Sequence, residues 1–332
     1  MTRHILGLIL ALSILILPVS AEYTGDNPLA IYKHEKIHGD LIYTIGDSRY
    51  SNELSFGDTY VVNYSANDLY PFSKKKGSNR GEKNNIKFAR LYLYWVWSHN
   101  GSQGAYPEMD VLLNRFAIAP EKEYTDRKGS EPFDYPSGTY AFDVTSILKG
   151  SRDNLYTVVV KNINKNNVFF LNGIGLLLVY ENPDNPEIEY WIGEGCDILS
   201  AKDIILQNKE VTTSMSFEGA VDKSKIKSAT LWTIVPSGDK GKNELQFNNK
   251  NWKNVYKGEP YNDLAIDKRD VTNYLTENNF IKIKDTGDYM TPSNAFLVLE
   301  YKSAESTPGF GIGYAILGFL LVALMWLGKK KA

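Results

Sequence analysis

Four segments of this chain occur twice in the same order, and that repetition limits the possible folds more than any other feature. Residues 89–95 (ARLYLYW) match 229–235 (ATLWTIV). Residues 110–118 (DVLLNRFAI) match 244–252 (ELQFNNKNW), with Asn114 falling on Asn248. Residues 140–148 (YAFDVTSIL) match 265–275 (AIDKRDVTNYL), and 175–181 (GLLLVYE) match 295–301 (AFLVLEY). One such pair arises by chance; four in order mark an internal duplication.

Each copy reads as strands. In the first, Leu91 and Leu93 face one way and Tyr92 and Tyr94 the other, the period of a pleated strand. A strand ending at an Asn-centred turn follows. Asp143-Val144-Thr145 and Asp270-Val271-Thr272 each precede a short helical or turn segment, because Asp caps helix starts well. Each copy closes with a continuous apolar run, the mark of a strand buried on both faces. The 22 Tyr and 6 Trp suit half-buried pleated surfaces. Few long amphipathic helices are evident. The expected fold is all-β: two antiparallel β-sandwich, jelly-roll-like units side by side. The first unit spans 22–190, an inter-domain joint spans 191–204, and the second unit spans 205–302. Residues 22–86 lie outside the repeat, with strands expected at 38–44 and 59–64. The charged stretch 74–83 (KKKGSNRGEK) reads as solvated loop.

The two ends set the compartment. Arg3, a 13-residue apolar run at 5–17 and the small residues Val19-Ser20-Ala21 form a secretory signal over 1–21. Residues 309–328 carry no charge over 20 positions, about 30 Å as a helix and enough to span a bilayer. Lys329, Lys330 and Lys331 follow, so the body lies outside the membrane. Asn63-Tyr64-Ser65 and Asn100-Gly101-Ser102 are sequons, making Asn63 and Asn100 glycosylation candidates.

Candidate chemistry is sparse. A net charge of -2 with mixed signs leaves no basic patch for nucleic acid. Cys196 is the only cysteine, so no internal disulfide forms, and a buried small apolar role is its simplest reading. No G-x-S-x-G element, P-loop or dinucleotide-binding glycine pattern occurs, and no cofactor is implied. His34 and His38 lie in HEKIH, formally a zinc motif, but that motif needs a helix to put both imidazoles on one face. Gly39 and strand-like sequence follow at once, so His34 and His38 are weak metal candidates. Residues 191–199 (WIGEGCDIL) place Glu194 and Asp197 around Gly195 and Cys196. Two carboxylates can hydrolyse a glycosidic bond; the competing reading is a structured turn in which they accept backbone hydrogen bonds.

Two resemblances rest on these residues. Thr307-Pro308-Gly309-Phe310, an apolar helix and a basic tip together resemble the PGF-type C-terminal sorting signal of archaeal surface proteins. That resemblance implies an archaeal source, a place near the S-layer, and a sorting enzyme that replaces the helix with lipid. ARLYLYW, the Asn-turn strand, DVTSIL, the run at 172–183 and WIGEGCDIL together resemble the DUF3344 family over roughly 39–302. These are surface proteins frequent in methanogenic archaea, without an assigned activity; Cys196 stands where a small residue is more usual. The expected role is a non-enzymatic, membrane-anchored surface protein binding neighbouring envelope proteins or glycans. The alternative is an envelope glycan or glycopeptide hydrolase using Glu194 and Asp197.

Overall fold

A computed structural model describes residues 27–69, 86–128, 134–150, 153–202 and 211–303. The leader expected at 1–21 and, beyond Ser303, the expected sorting motif and membrane-spanning segment lie outside the described residues. Within them no helix is long and apolar enough to cross a membrane.

The chain forms β1 (Asn27–Thr44), β2 (Glu53–Leu54), β3 (Thr59–Ser65), β4 (Ile86–Asn100), β5 (Gln103–Gly104), β6 (Met109–Leu113) and β7 (Phe116–Ile118). It continues through β8 (Lys122–Asp126), β9 (Ser137–Asp143), β10 (Leu155–Asn162), β11 (Val168–Glu181), β12 (Glu187–Cys196) and β13 (Thr212–Phe217). It ends with β14 (Ile226–Pro236), β15 (Asn243–Phe247), β16 (Lys250–Lys253), β17 (Pro260–Tyr261), β18 (Leu264–Asp270), β19 (Asn279–Asp285) and β20 (Asn294–Tyr301). Every pairing among the described strands is antiparallel. A 12-stranded sheet runs β17-β18-β14-β20-β12-β1-β11-β4-β9-β8, with β2 added at β11 and β5 at β4. Two four-stranded sheets, β3-β10-β6-β7 and β13-β19-β15-β16, complete the body.

Alternation along the strands sorts side chains into three cores. Leu91, Leu93, Leu176 and Leu178 pack with Val62, Val158 and Val111 of the first small sheet. Leu231, Leu297 and Leu299 pack with Met215, Ile281 and Phe247 of the second. The opposite faces of the large sheet meet each other, as Tyr92, Tyr94, Leu177 and Val179 join Tyr190, Ile192 and Phe296. The closing strand β11 is therefore buried on both faces, as its unbroken apolar run requires. A fully buried Leu or Phe contributes about 1.5–3 kcal/mol relative to exposure, so three cores offset the lack of any disulfide.

The strand β1 serves both halves of the large sheet. Its residues from Asn27 to His38 pair with β12, and those from Gly39 to Thr44 pair with β11. Gly39 stands at the handover, where a Cβ would lie 1.8 Å from the Tyr180 carbonyl oxygen, so no larger residue fits. The boundary expected at 190/191 falls inside β12, which is a central strand from Glu187 to Cys196. Its glycines obscured the alternation, and the WIGEGC stretch reads as a turn when its neighbours in the sheet are unseen.

The repeated segments make the same hydrogen bonds in both halves. Asn114 and Asn248 both adopt positive φ, 55° and 52°. Their side-chain oxygens each accept a backbone N–H at 2.9 Å, from Thr157 and Phe280. Asp143 and Asp270 accept the N–H of Thr145 and Thr272 at 2.8 Å. Those threonine hydroxyls accept from Ala89 N–H at 2.9 Å and Ala229 N–H at 2.8 Å, tying each cap to the start of its repeat.

Candidate functional site

Glu194 sits on β12 between two glycines that close packing demands: a Cβ on Gly193 would meet the Met215 sulfur at 2.5 Å. Its carboxylate is fully buried and accepts four hydrogen bonds. Arg90 donates Nε to Oε1 at 2.8 Å and Nη2 to Oε2 at 2.9 Å, a bidentate fork. Tyr92 Oη donates to Oε1 at 2.8 Å and Tyr124 Oη to Oε2 at 2.9 Å. Arg90, itself fully buried, also reaches Glu121 at 2.6 Å, and its guanidinium lies 4.0 Å from the Tyr32 ring centre. Burial alone would lower the Arg90 pKa, but the hydrogen bonds and charge of Glu194 outweigh it and the net shift is upward. Burial first, then the Glu194 charge, pushes the Tyr92 and Tyr124 phenols up; the Tyr32 phenol is pushed up to about 12, chiefly by burial. A carboxylate with four donors and no exposed atom has no lone pair turned toward a substrate. Such an arrangement clamps β4 and β8 to β12.

Asp197 belongs to a different cluster. Lys128 Nζ lies 3.9 Å from Asp197 Oδ1 and 2.9 Å from Asp126 Oδ2. The Lys128 and Asp126 side chains are fully buried, and that of Asp197 nearly so. Asp126 Oδ2 also accepts the Ile198 N–H at 2.5 Å. Cys196 is buried and takes part in no disulfide. Tyr289, whose phenol is raised chiefly by burial, shares a 3.3 Å hydrogen bond with Ser137.

The HEKIH segment is strand, inside β1. At about 3.3 Å per residue His34 and His38 lie some 13 Å apart, too far to share one ion. His34 stacks on Trp191, ring centres 4.3 Å apart, and contacts Glu189 at 2.7 Å; His38 contacts the Asn185 carbonyl at 3.2 Å. Among the described residues no group of three or more His, Cys, Asp or Glu side chains is arranged to hold a metal. The sequons differ. The Asn63 amide donates to Asp47 at 3.0 Å and its oxygen accepts from Thr157 at 2.9 Å, whereas Asn100 ends β4 exposed beside Gly101.

Sequence reasoning missed Arg90, Glu121, Tyr124, Asp126 and Lys128. Arg90 left a signal: it shares a face with Tyr92 and Tyr94 in an otherwise apolar strand, and a charge there needs a buried partner.

The two small sheets offer a further surface, and their matched turns align them residue for residue. On the outer face of the first, register places Val61, Val159, Leu112 and Ala117 in one row across four strands. The matching row in the second is Ser214, Lys282, Gln246 and Asn251. The next row is alike in both: Thr59, Lys161 and Asp110 against Thr212, Lys284 and Glu244. Val61 is 48% exposed. On the row's other side the second sheet bears the apolar residue, Phe280 opposite Ser216 where the first has Thr157 opposite Asn63. The edge strands differ likewise. Lys250 and Lys253 guard β16, the usual protection of an open edge, while β7 (FAI) carries no charge and exposes Phe116. A cleft of about 730 Å³ adjoins this face, lined in part by Leu112, Ala117, Val159, Lys161, Tyr106 and Tyr140.

Solved structures give distant likenesses. The major capsid protein P2 of bacteriophage PM2 is 8% identical with a TM-score of 0.22, over 82% of this chain and 99% of that one. PNGase F, a glycosylasparaginase from Flavobacterium meningosepticum, is 12% identical with a TM-score of 0.25, over 81% and 97%. Latent PorU from Porphyromonas gingivalis is 11% identical with a TM-score of 0.26, over 85% of this chain and 22% of that one. At these scores the likenesses carry no argument about activity. A comparison with curated proteins finds no match. A family model described as a protein of unknown function, DUF3344, matches residues 22–300, and the chain therefore belongs to the DUF3344 family.

Proposed function

We propose that this protein is a non-enzymatic component of a cell envelope that binds neighbouring envelope proteins through the outer face of β3-β10-β6-β7. In this reading the leader exports it. The C-terminal helix, or a lipid installed by a sorting enzyme at Pro308-Gly309-Phe310, holds it to the outer face of the membrane. An archaeal source, a place beside the S-layer and a glycan on Asn100 go with the same reading. So does an origin by duplication of one jelly-roll-like sandwich, which the matched turn and cap hydrogen bonds support.

The observation that carries the proposal is the row Val61, Val159, Leu112 and Ala117, apolar throughout in the first half where its counterpart in the second is polar throughout. The fold tolerates Ser, Lys, Gln and Asn in that row, since the second sheet has them. The first sheet instead carries Val, Val, Leu and Ala, beside an unguarded edge. Apolar side chains left in water without a structural need for them mark an interaction surface. The hydrolase alternative has no comparable support, because Glu194 is saturated by Arg90, Tyr92 and Tyr124 and Asp197 stands in a separate buried cluster.

The test transplants the second sheet's residues: Val61→Ser, Leu112→Gln and Val159→Lys together, in intact cells subjected to cross-linking. We expect the protein's cross-links to other envelope proteins to be lost while its thermal stability is kept. An unchanged cross-linking pattern refutes the assignment of this face. Cross-links lost only after enzymatic removal of surface glycans would make glycans the partner instead.

A further inference from the structure

We propose that Lys128 and Asp197 condense to an intramolecular amide, with Asp126 as the proton relay. Lysine is almost never fully buried without a partner. Here the Lys128 side chain is fully buried and faces two carboxylates, Asp126 at 2.9 Å and Asp197 at 3.9 Å. An ion pair requires only one carboxylate, and each charge taken from water costs several kcal/mol. A condensation requires two: one carboxyl to be attacked and one to move protons.

The geometry divides those roles. Asp126 Oδ2 is nearer to Nζ and is held by the Ile198 N–H at 2.5 Å, so it is placed to take a proton from the ammonium. Asp197 presents Oδ1 of its carboxyl 3.9 Å from Nζ, and side-chain rotation must bring Cγ within the roughly 3–3.5 Å of a near-attack arrangement. The freed lone pair on Nζ attacks Cγ of Asp197. A C–N bond forms and one C–O bond breaks. The departing oxygen takes two protons, both originally on Nζ and both passed through Asp126, and leaves as water. Ammonium plus carboxylate thus become amide plus water, no oxidant or reductant is needed, and Asp126 ends as it began. The new amide N–H can then donate to Asp126 Oδ2. The buried positions hold amine and acid together, which raises their effective concentration far above that of free groups in water.

The bond would tie the segment following β8, at the rim of the large sheet, to the end of β12 near its centre. It would supply the covalent staple that a chain with one cysteine cannot make from sulfur.

Tryptic digestion of the purified full chain and mass spectrometry decide the matter. Trypsin cuts after Arg127 but not after an acylated Lys128. The expected product is a branched species joining residues 128–149 to 166–202, lighter than their sum by one water. A linear peptide beginning at Gly129, together with an unmodified 166–202 peptide, overturns the proposal and leaves an ordinary buried ion pair. Asp126→Asn keeps the shape but removes the relay, and this variant is expected to yield only the linear peptides. A branched species at wild-type yield in Asp126→Asn would overturn the role given to Asp126.

Discussion

Replacing Glu194 by Gln separates a structural clamp from a catalytic acid. The substitution keeps the shape of the side chain but removes the charge opposite Arg90, which stays buried. Each hydrogen bond to a charged group is worth about 1.5–3 kcal/mol, and Glu194 accepts four. The Gln oxygen can keep one or two of these, and Glu121 still reaches Arg90 at 2.6 Å. The net loss should fall near 3–5 kcal/mol, the range measured when one member of a buried pair is removed. For a body of this size that is a fall in Tm on the order of 10 °C. Denaturant titration followed by tryptophan fluorescence measures it. A loss under about 1 kcal/mol would refute the clamp, because a fully desolvated guanidinium cannot lose its counterion at so little cost. Replacing both partners by apolar residues, Arg90→Met with Glu194→Leu, should recover much of the loss, since it leaves no buried charge unpaired; Glu121, which loses Arg90, is half-exposed to water.

Other expectations follow from the duplicated turns and the buried phenols. Asn248→Ala should cost more than Asn114→Ala in denaturant unfolding, about 2–3 against 1 kcal/mol, because Asn248 is buried and also donates to Tyr274 and Asn279. Asp143→Ala and Asp270→Ala should each cost about 1 kcal/mol, and together the sum, since the two caps lie in separate repeats. Alkaline pH should destabilise the fold. Burial raises the Tyr92 and Tyr94 phenols well above the usual value near 10, so the unfolded chain loses these protons first. Their stabilisation is complete below pH 10 and is lost as pH rises toward the folded values, by about 1.4 kcal/mol per pH unit for each phenol. Spectroscopic titration in which every tyrosine ionises near pH 10 in the folded state would contradict this. Gly39→Ala should abolish the shared pairing of β1, measured as lost amide protection across 39–44.

Local pattern made much of the fold legible. Leu91 and Leu93 went to one core and Tyr92 and Tyr94 to another because alternation with period two needs no knowledge of neighbours. The two-sided burial of β11 and the Asn turns were legible for the same reason. Long-range partnership was not. Glu194 meets Arg90 across 104 residues, and nothing near either residue names the other. The strand at His34 and His38 carries charged residues on both faces, so a helical zinc motif and a strand read alike until Trp191 and Glu189 are found beside it. The strand at 191–196, within the expected joint, was illegible in the same way: a central strand rich in glycine looks like a connector when its flanking strands lie far off in sequence.

The placement of β12 between β1 and β20 has a mechanical consequence. Both neighbours run antiparallel to it, so they are parallel to each other, with Asn27 near Cys196 at one end and the close of β20 near Ile188 at the other. A pull entering at Asn27 and leaving at Tyr301 therefore loads both ladders in shear. Their hydrogen bonds resist together instead of opening one after another like a zipper.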